Sequence, residues 1–337
     1  MTFKILMSAV AVSALLAGAC GNKTASAAAD VEPSADTLSV PEFSADSAYA
    51  YVAWQCAAGP RVPGTQAHAA TAAWLEGKLR EFGADTVIVQ TGDALDADGK
   101  HVPIRNILAQ YNAGATERLL LLAHYDTRPW ADEDPDPQAH NTPIDGANDG
   151  ASGVGVLLEV ARQLGMQNPG YGVDILMTDA EDSGKSAPDG ADAETRAKYD
   201  DSWCLGTQYF ARNLPYAAGK KPSQAILLDM VGGRNAVFPR EYFSEQAAPG
   251  VVQRISDAAA KAGVADRFPT MVGGAVNDDH LPLIAAGIPA ADIIEIGHPQ
   301  TRSFNPTWHT LADNISNIDA ATLGVVGSVI LTLIYDK

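Results

Sequence analysis

Positive charge is scarce in this chain. Its 337 residues carry 23 Lys and Arg against 41 Asp and Glu, a formal net charge of -18. Without a basic patch to displace counterions from phosphates, nucleic acid is not an expected partner. Cysteine is nearly absent, with three in total, which excludes a small disulfide scaffold. Long hydrophobic runs are also missing: no stretch beyond the N-terminus is long and apolar enough to span a bilayer. No internal repeat recurs, and the remaining composition is that of a globular protein.

The N-terminus reads as an export signal. Lys4 supplies positive charge, residues 5–16 form an apolar stretch, and Ala17-Gly18-Ala19 offers small residues before Cys20. This resembles a bacterial lipoprotein signal, in which the cysteine is lipidated and becomes the mature N-terminus. The usual leucine is displaced one position, to Leu16. An ordinary secretory signal is the alternative. The expected organisation is a signal peptide over 1–19, a flexible Ala-, Ser- and Pro-rich tether over 20–43, and a single catalytic domain over 44–337. An exported lipoprotein on the periplasm-facing membrane follows. Cys56 and Cys204 could then form one disulfide; two small buried hydrophobes are the alternative.

Within the domain, strand-like and helix-like stretches alternate. Residues 119–123, Leu-Leu-Leu-Leu-Ala, suit a strand buried on both faces. Further strands are expected at 87–89, 104–110, 173–178, 225–228 and 291–296. Helices are expected from Ser44 or Asp46 to Cys56, from Thr65 to Gly83, and at 154–164, 206–214, 251–262 and 320–334. The fold class is therefore α/β, a single domain with a mostly parallel central sheet flanked by helices. Residues 128–145, dense in Pro and Asp, read as an irregular loop. Its acids Asp132, Glu133, Asp134 and Asp136 read as solvated unless a cation such as calcium binds there. His68, His101, His140 and His298 read as surface residues.

Four strand ends carry acids or imidazoles: His124 and Asp126, then Glu181 and Asp182, then Asp229, and His309 on a loop beyond the last strand. Asp149 opens a helix. Carboxylates grouped at strand ends repel unless they share a cation or a proton. With imidazole beside them, they suit catalytic zinc.

His124-Tyr125-Asp126, the run Gly146-Ala147-Asn148-Asp149-Gly150-Ala151-Ser152-Gly153, Glu181-Asp182, Asp278-Asp279-His280-Leu281-Pro282 and Trp308-His309-Thr310 together resemble the zinc aminopeptidase superfamily. Within it they are most similar to the bacterial glutaminyl-peptide cyclotransferases. The resemblance runs from about Gly59 to the C-terminus. It implies a zinc-aminopeptidase-like (phosphorylase/hydrolase-like) fold and one zinc held by Asp149, Asp182 and His309. Glu181 would be the general acid/base, with Asp229 and Asp278 in the acid network behind it. Trp308 and Phe304 would wall the substrate pocket, and His124 would be unligated. The chain departs from the vertebrate pattern at Asp182, usually glutamate. The vertebrate loop tryptophan has no clear match, and Trp130 could replace it. Asp126 is expected to orient His124, and His280 to stabilise its loop.

The implied reaction converts an N-terminal glutamine of a peptide or protein to pyroglutamate with release of ammonia. The competing reading is a two-zinc aminopeptidase with His124 and Asp229 as added ligands. Asp278, where such peptidases typically have serine, and Trp308 favour the cyclase. A catalytically dead, envelope-tethered binding protein is a third reading, disfavoured because every catalytic position is filled.

Overall fold

A computed structural model describes residues 38–336. The signal segment, Cys20 and most of the tether lie outside the described residues. In chain order the elements are α1 (Ala45–Ala57), α2 (Gln66–Glu81), β1 (Thr86–Leu95), β2 (His101–Tyr111), β3 (Arg118–His124), α3 (Ala151–Met166), β4 (Gly172–Thr178), α4 (Ala193–Asp200), α5 (Leu205–Arg212), β5 (Gln224–Asp229), α6 (Tyr242–Ala247), α7 (Pro249–Lys261), α8 (His280–Ala285), β6 (Ala290–Ile294) and α9 (Ala320–Tyr335).

Local chemistry sets the boundaries. The side chains of Ser44 and Thr65 accept the Ser47 and His68 N–H groups and cap α1 and α2. The sheet order is β1-β2-β4-β3-β5-β6. The pairings β4-β3, β3-β5 and β5-β6 are parallel, and β1 and β2 add an antiparallel edge. β3 is buried along its whole length. Leu119 and Leu121 pack into the core that holds α1, α3, α7 and α9, whereas Leu120 and Leu122 meet Phe210 of α5 and Leu283 of α8. The period-two alternation of a strand thus feeds two apolar layers, and no polar residue is tolerated in the run.

The register aligns His124 with Thr178, and Asp229 with Ile294. The C-terminal ends of the parallel strands therefore form one edge. β3 lies between β4 and β5, so the winding direction reverses there; open α/β sheets bind ligands at such an edge. Two glycines bring α3 down onto it. Gly150 has φ +80°, and a Cβ at Gly153 would lie 2.1 Å from the Leu228 carbonyl oxygen. Only a hydrogen fits between that helix and β5.

Several boundaries differ from the sequence reading. β1 is longer because its register with β2 continues through Leu95↔His101. The short helices α4 and α6 carry too few apolar residues for a periodic signal. Part of the expected tether is docked: Gln167 and Gln163 donate to the Ser39 and Glu42 carbonyls, and Phe43 fills the space above Gly327. The expected disulfide is not formed. Cys56 is a free thiol on α1, and Cys204 is a free, buried thiol before α5. No helix among the described residues is long and apolar enough to cross a membrane.

Candidate active site

Three potential ligands converge at the edge of the sheet. Atoms of Asp149, Asp182 and His309 all lie within 4.8 Å of one another and are buried. His309 Nε2 is 3.3 Å from Asp182 Oδ1 and 3.6 Å from Asp149 Oδ2. Asp149 stands on the turn before α3, where Asp313 accepts the backbone N–H groups of Asn148 and Asp149 at 2.8 and 3.1 Å. Buried Arg61 donates to the Tyr125 and Gly146 carbonyls and fixes the same turn. Asp182 follows β4. Asp126 accepts the N–H groups of Glu181 and Asp182 at 3.1 and 3.2 Å, so it anchors that turn as well as lying 3.4 Å from His124 Nδ1.

Arg128 Nη1 donates to Asp182 Oδ1 at 3.1 Å, while Asp182 Oδ2 is buried with no hydrogen-bond partner. Such an atom calls for a cation. Two carboxylates and one imidazole form a donor set that fits a zinc ion with an open position. His309 Nδ1 lies 3.5 Å from Asp132, which also pairs with Arg128. This corrects the reading of Asp132 as a solvated loop acid: it backs a candidate ligand, as partners of metal-bound imidazoles do.

A second trio shares Asp149. His124 Nε2 lies 3.0 Å from Asp149 Oδ1 and 3.2 Å from Asp229 Oδ1. The residues of the two-metal alternative are therefore also together.

Glu181 lies behind the first trio with Asp278 and Cys204, their ligand atoms again within 4.8 Å and buried. Burial raises the Glu181 carboxyl well above the usual range, and Asp278, Asp182 and Asp279 push it the same way, partly offset by His124. Asp278 is raised well above its usual range by burial and by Asp229 and Asp279. Asp229 is raised by burial, held back in part by its hydrogen bond to His124, and reaches about 6. Crowded carboxylates of this kind hold protons in common. Any bound cation would draw them back toward ionisation.

The network has a member that the sequence reading missed. Asp292, on β6, is buried; desolvation raises its carboxyl, and Asp278 and Asp229 raise it further. A lone acid inside an apolar strand was the available signal. Cys204 is the second such residue: its Sγ–H lies 3.5 Å from Glu181 Oε1.

A pocket of about 270 Å³ opens over these groups, with Phe304, Trp308, Trp203, Met230 and Val276 in its lining. The Trp308 ring stacks on His309 with centroids 3.7 Å apart, and Phe304 packs on Trp308. Trp130 is not among the lining residues. It lies against Arg128, which also meets Trp203, and Trp203 is the one that lines the pocket, in the wall position assigned to Trp130. Of two other histidines, His280 stabilises its loop as expected and His68 is not the surface residue expected. His68 is buried, not exposed, and bonds Asp179 at 2.8 Å. His280 pairs with Glu241 at 3.2 Å, and Glu241 also accepts the Val276 N–H, which secures the pocket loop.

Comparison with known proteins places this geometry. The model of Peptidase family M28 matches residues 106–334. A solved glutaminyl cyclase from Bacteroides thetaiotaomicron, bound to N-acetylhistamine, is 46% identical with a TM-score of 0.83, covering 89% of this chain and 100% of that one. A solved leucine aminopeptidase precursor from the same species is also 46% identical, with a TM-score of 0.82, covering 89% of this chain and 99% of the other. A glutaminyl-peptide cyclotransferase of the snake Boiga irregularis is 26% identical over 250 residues, 68% of this chain. The match spans 65% of the snake protein's length.

Proposed function

The chain belongs to peptidase family M28, and from that membership we propose that it is a zinc-dependent glutaminyl-peptide cyclotransferase. Its substrates would be peptides or proteins that begin with glutamine, and its products pyroglutamate and ammonia. The observation that carries this reading is Asp278, buried against Glu181 at the floor of the pocket. A peptidase must activate a water, whereas a cyclase must move one proton between two nitrogens of its own substrate. A crowded acid network with a shared proton serves the second task.

Asp149, Asp182 and His309 would hold the zinc, one ion per chain in this reading. When bound, it supplies a Lewis acid for the γ-carboxamide oxygen of the substrate. The chain's own residues do the rest. Trp308, Phe304 and Trp203 fold the glutamine side chain back toward its α-amine and exclude water, so ring closure gains from proximity. Glu181 takes a proton from the α-amine as its nitrogen bonds to the carbonyl carbon of the γ-carboxamide, Cδ, closing the five-membered ring. It returns the proton to the departing amide nitrogen, which leaves as ammonia. Asp278, Asp229 and Asp292 hold the neighbouring proton inventory, so that Glu181 can be ionised at the start and protonated midway.

The trio His124, Asp149 and Asp229 favours a second reading, a two-zinc aminopeptidase. One experiment separates the two. With purified protein and a short Gln-initiated peptide, the cyclase reading expects ammonia release, no free glutamine, loss of activity with chelator and recovery with about one zinc per chain. Free N-terminal residues and two tightly held ions would establish the peptidase instead. The N-terminal signal supports a further reading, that the enzyme is lipidated at Cys20 and faces the periplasm from a membrane. Cys20→Ala should then move it from the membrane to the soluble fraction; unchanged fractionation would refute the anchor.

A further inference from the structure

Beside the catalytic pocket lies a larger groove of about 700 Å³, between α5 and α8. Trp203 and Asn277 line both cavities, so they meet at that pair. The smaller one, at about 270 Å³, falls just under the roughly 300–1,000 Å³ that encloses a whole small ligand. It has room for a terminal residue and not for the rest of a peptide, which must leave past Trp203 and Asn277. The groove it would enter is apolar along its floor, with Ala211, Leu281, Pro282 and Ala285 in its lining. Asp200 and Asp201 stand exposed at its rim, and the Asn277 amide donates to the Asp200 carbonyl at 3.2 Å. That bond ties the acid pair to the junction. Arg212, which also lines the groove, lies a further 11 residues along the chain from Asp201. The helix α5, which ends at Arg212, is about 12 Å long, and the guanidinium donates to Gln208 one turn back at 3.2 Å.

We propose that this groove receives the segment following the terminal glutamine and gives the enzyme its sequence preference. A cationic side chain at the second position meets Asp200 and Asp201, and an apolar side chain at the third lies over Leu281, Pro282 and Ala285. An extended chain advances about 3.3–3.6 Å per residue, so the second and third residues are the first to pass the junction and enter the groove. The proposal deepens the cyclase reading and rests on it.

The test uses zinc-loaded enzyme and three substrates: glutamine amide, Gln-Lys-Leu-Ala-Ala and Gln-Glu-Glu-Ala-Ala. Ammonia release should favour the Lys-Leu peptide over the Glu-Glu peptide by about tenfold in kcat/KM, a difference of about 1.4 kcal/mol. Asp201→Lys should erase that preference, whereas Asp46→Lys, on the α1 side of the sheet, makes the same charge change and should not. Ala285→Glu, at an exposed position, should slow the Lys-Leu peptide and leave glutamine amide unaffected. Equal rates for the two pentapeptides in the unmodified enzyme would overturn the proposal. So would equal effects of Asp201→Lys and Asp46→Lys, which would assign the preference to net charge. A protein that releases no ammonia even from glutamine amide would instead refute the cyclase reading itself.

Discussion

Glu181→Gln should lower ammonia release by roughly 10²–10⁴-fold, the range expected when a positioned general acid/base is lost. The amide has nearly the same shape and can still occupy the space beside Asp278 and Cys204, so the melting temperature and bound zinc should stay near those of the unmodified enzyme. What is lost is the ability to accept a proton from the α-amine and return it. Glu181 is 8% exposed and surrounded by acids, so no neighbour can substitute without rearrangement. Steady-state ammonia assays with metal analysis of the same sample check this. A variant within a few-fold of the parent rate would remove Glu181 from the mechanism.

Loss of His309 should be as severe by a different route. His309→Ala leaves Asp149 and Asp182 as two buried carboxylates without the imidazole that faces both. Zinc should then be lost on gel filtration, and activity should fall by more than the 10–100-fold typical of losing a supporting partner. Asp132→Asn, which removes such a partner from His309 Nδ1, should fall inside that 10–100-fold range and keep its metal. Metal content after desalting, read beside the rate, distinguishes the two. Full zinc retention by His309→Ala would mean that the ion is held elsewhere, with the His124 trio the place to look.

The sequence made the sheet legible because a parallel strand buried on both faces leaves an uninterrupted apolar run, as in β3. It made the strand-end acids legible because a polar residue right after such a run marks the exit from the core. What it hid were contacts created by the return of a long loop. Cys204 and Leu205 donate their N–H groups to the Glu181 and Ala180 carbonyls at 3.0 and 3.1 Å. Those two bonds close the loop between β4 and α5 and bring Trp203 to the pocket. Nothing in the spacing indicates that closure, so Trp130, nearer in sequence to the site, was the wall candidate. Asp292 is obscured by its strand: read for periodicity, 291–296 is an apolar run, and its two acids, Asp292 and Glu295, pass as interruptions. His68 reads as a surface residue because its partner, Asp179, is remote in the chain.

Ala180, Cys204, Met230 and His309 have φ values of 52°, 55°, 48° and 55°. Each is a side-chain-bearing residue held in the left-handed region, at a cost on the order of 1–3 kcal/mol; Met230 and His309 line the pocket, and Ala180 and Cys204 adjoin its residues Glu181 and Trp203 in the chain. Glycine would relax each of them. The fold therefore carries its conformational debt where the chemistry is, and a version hardened against heat by relieving it would be a sturdier protein with a blunter aim.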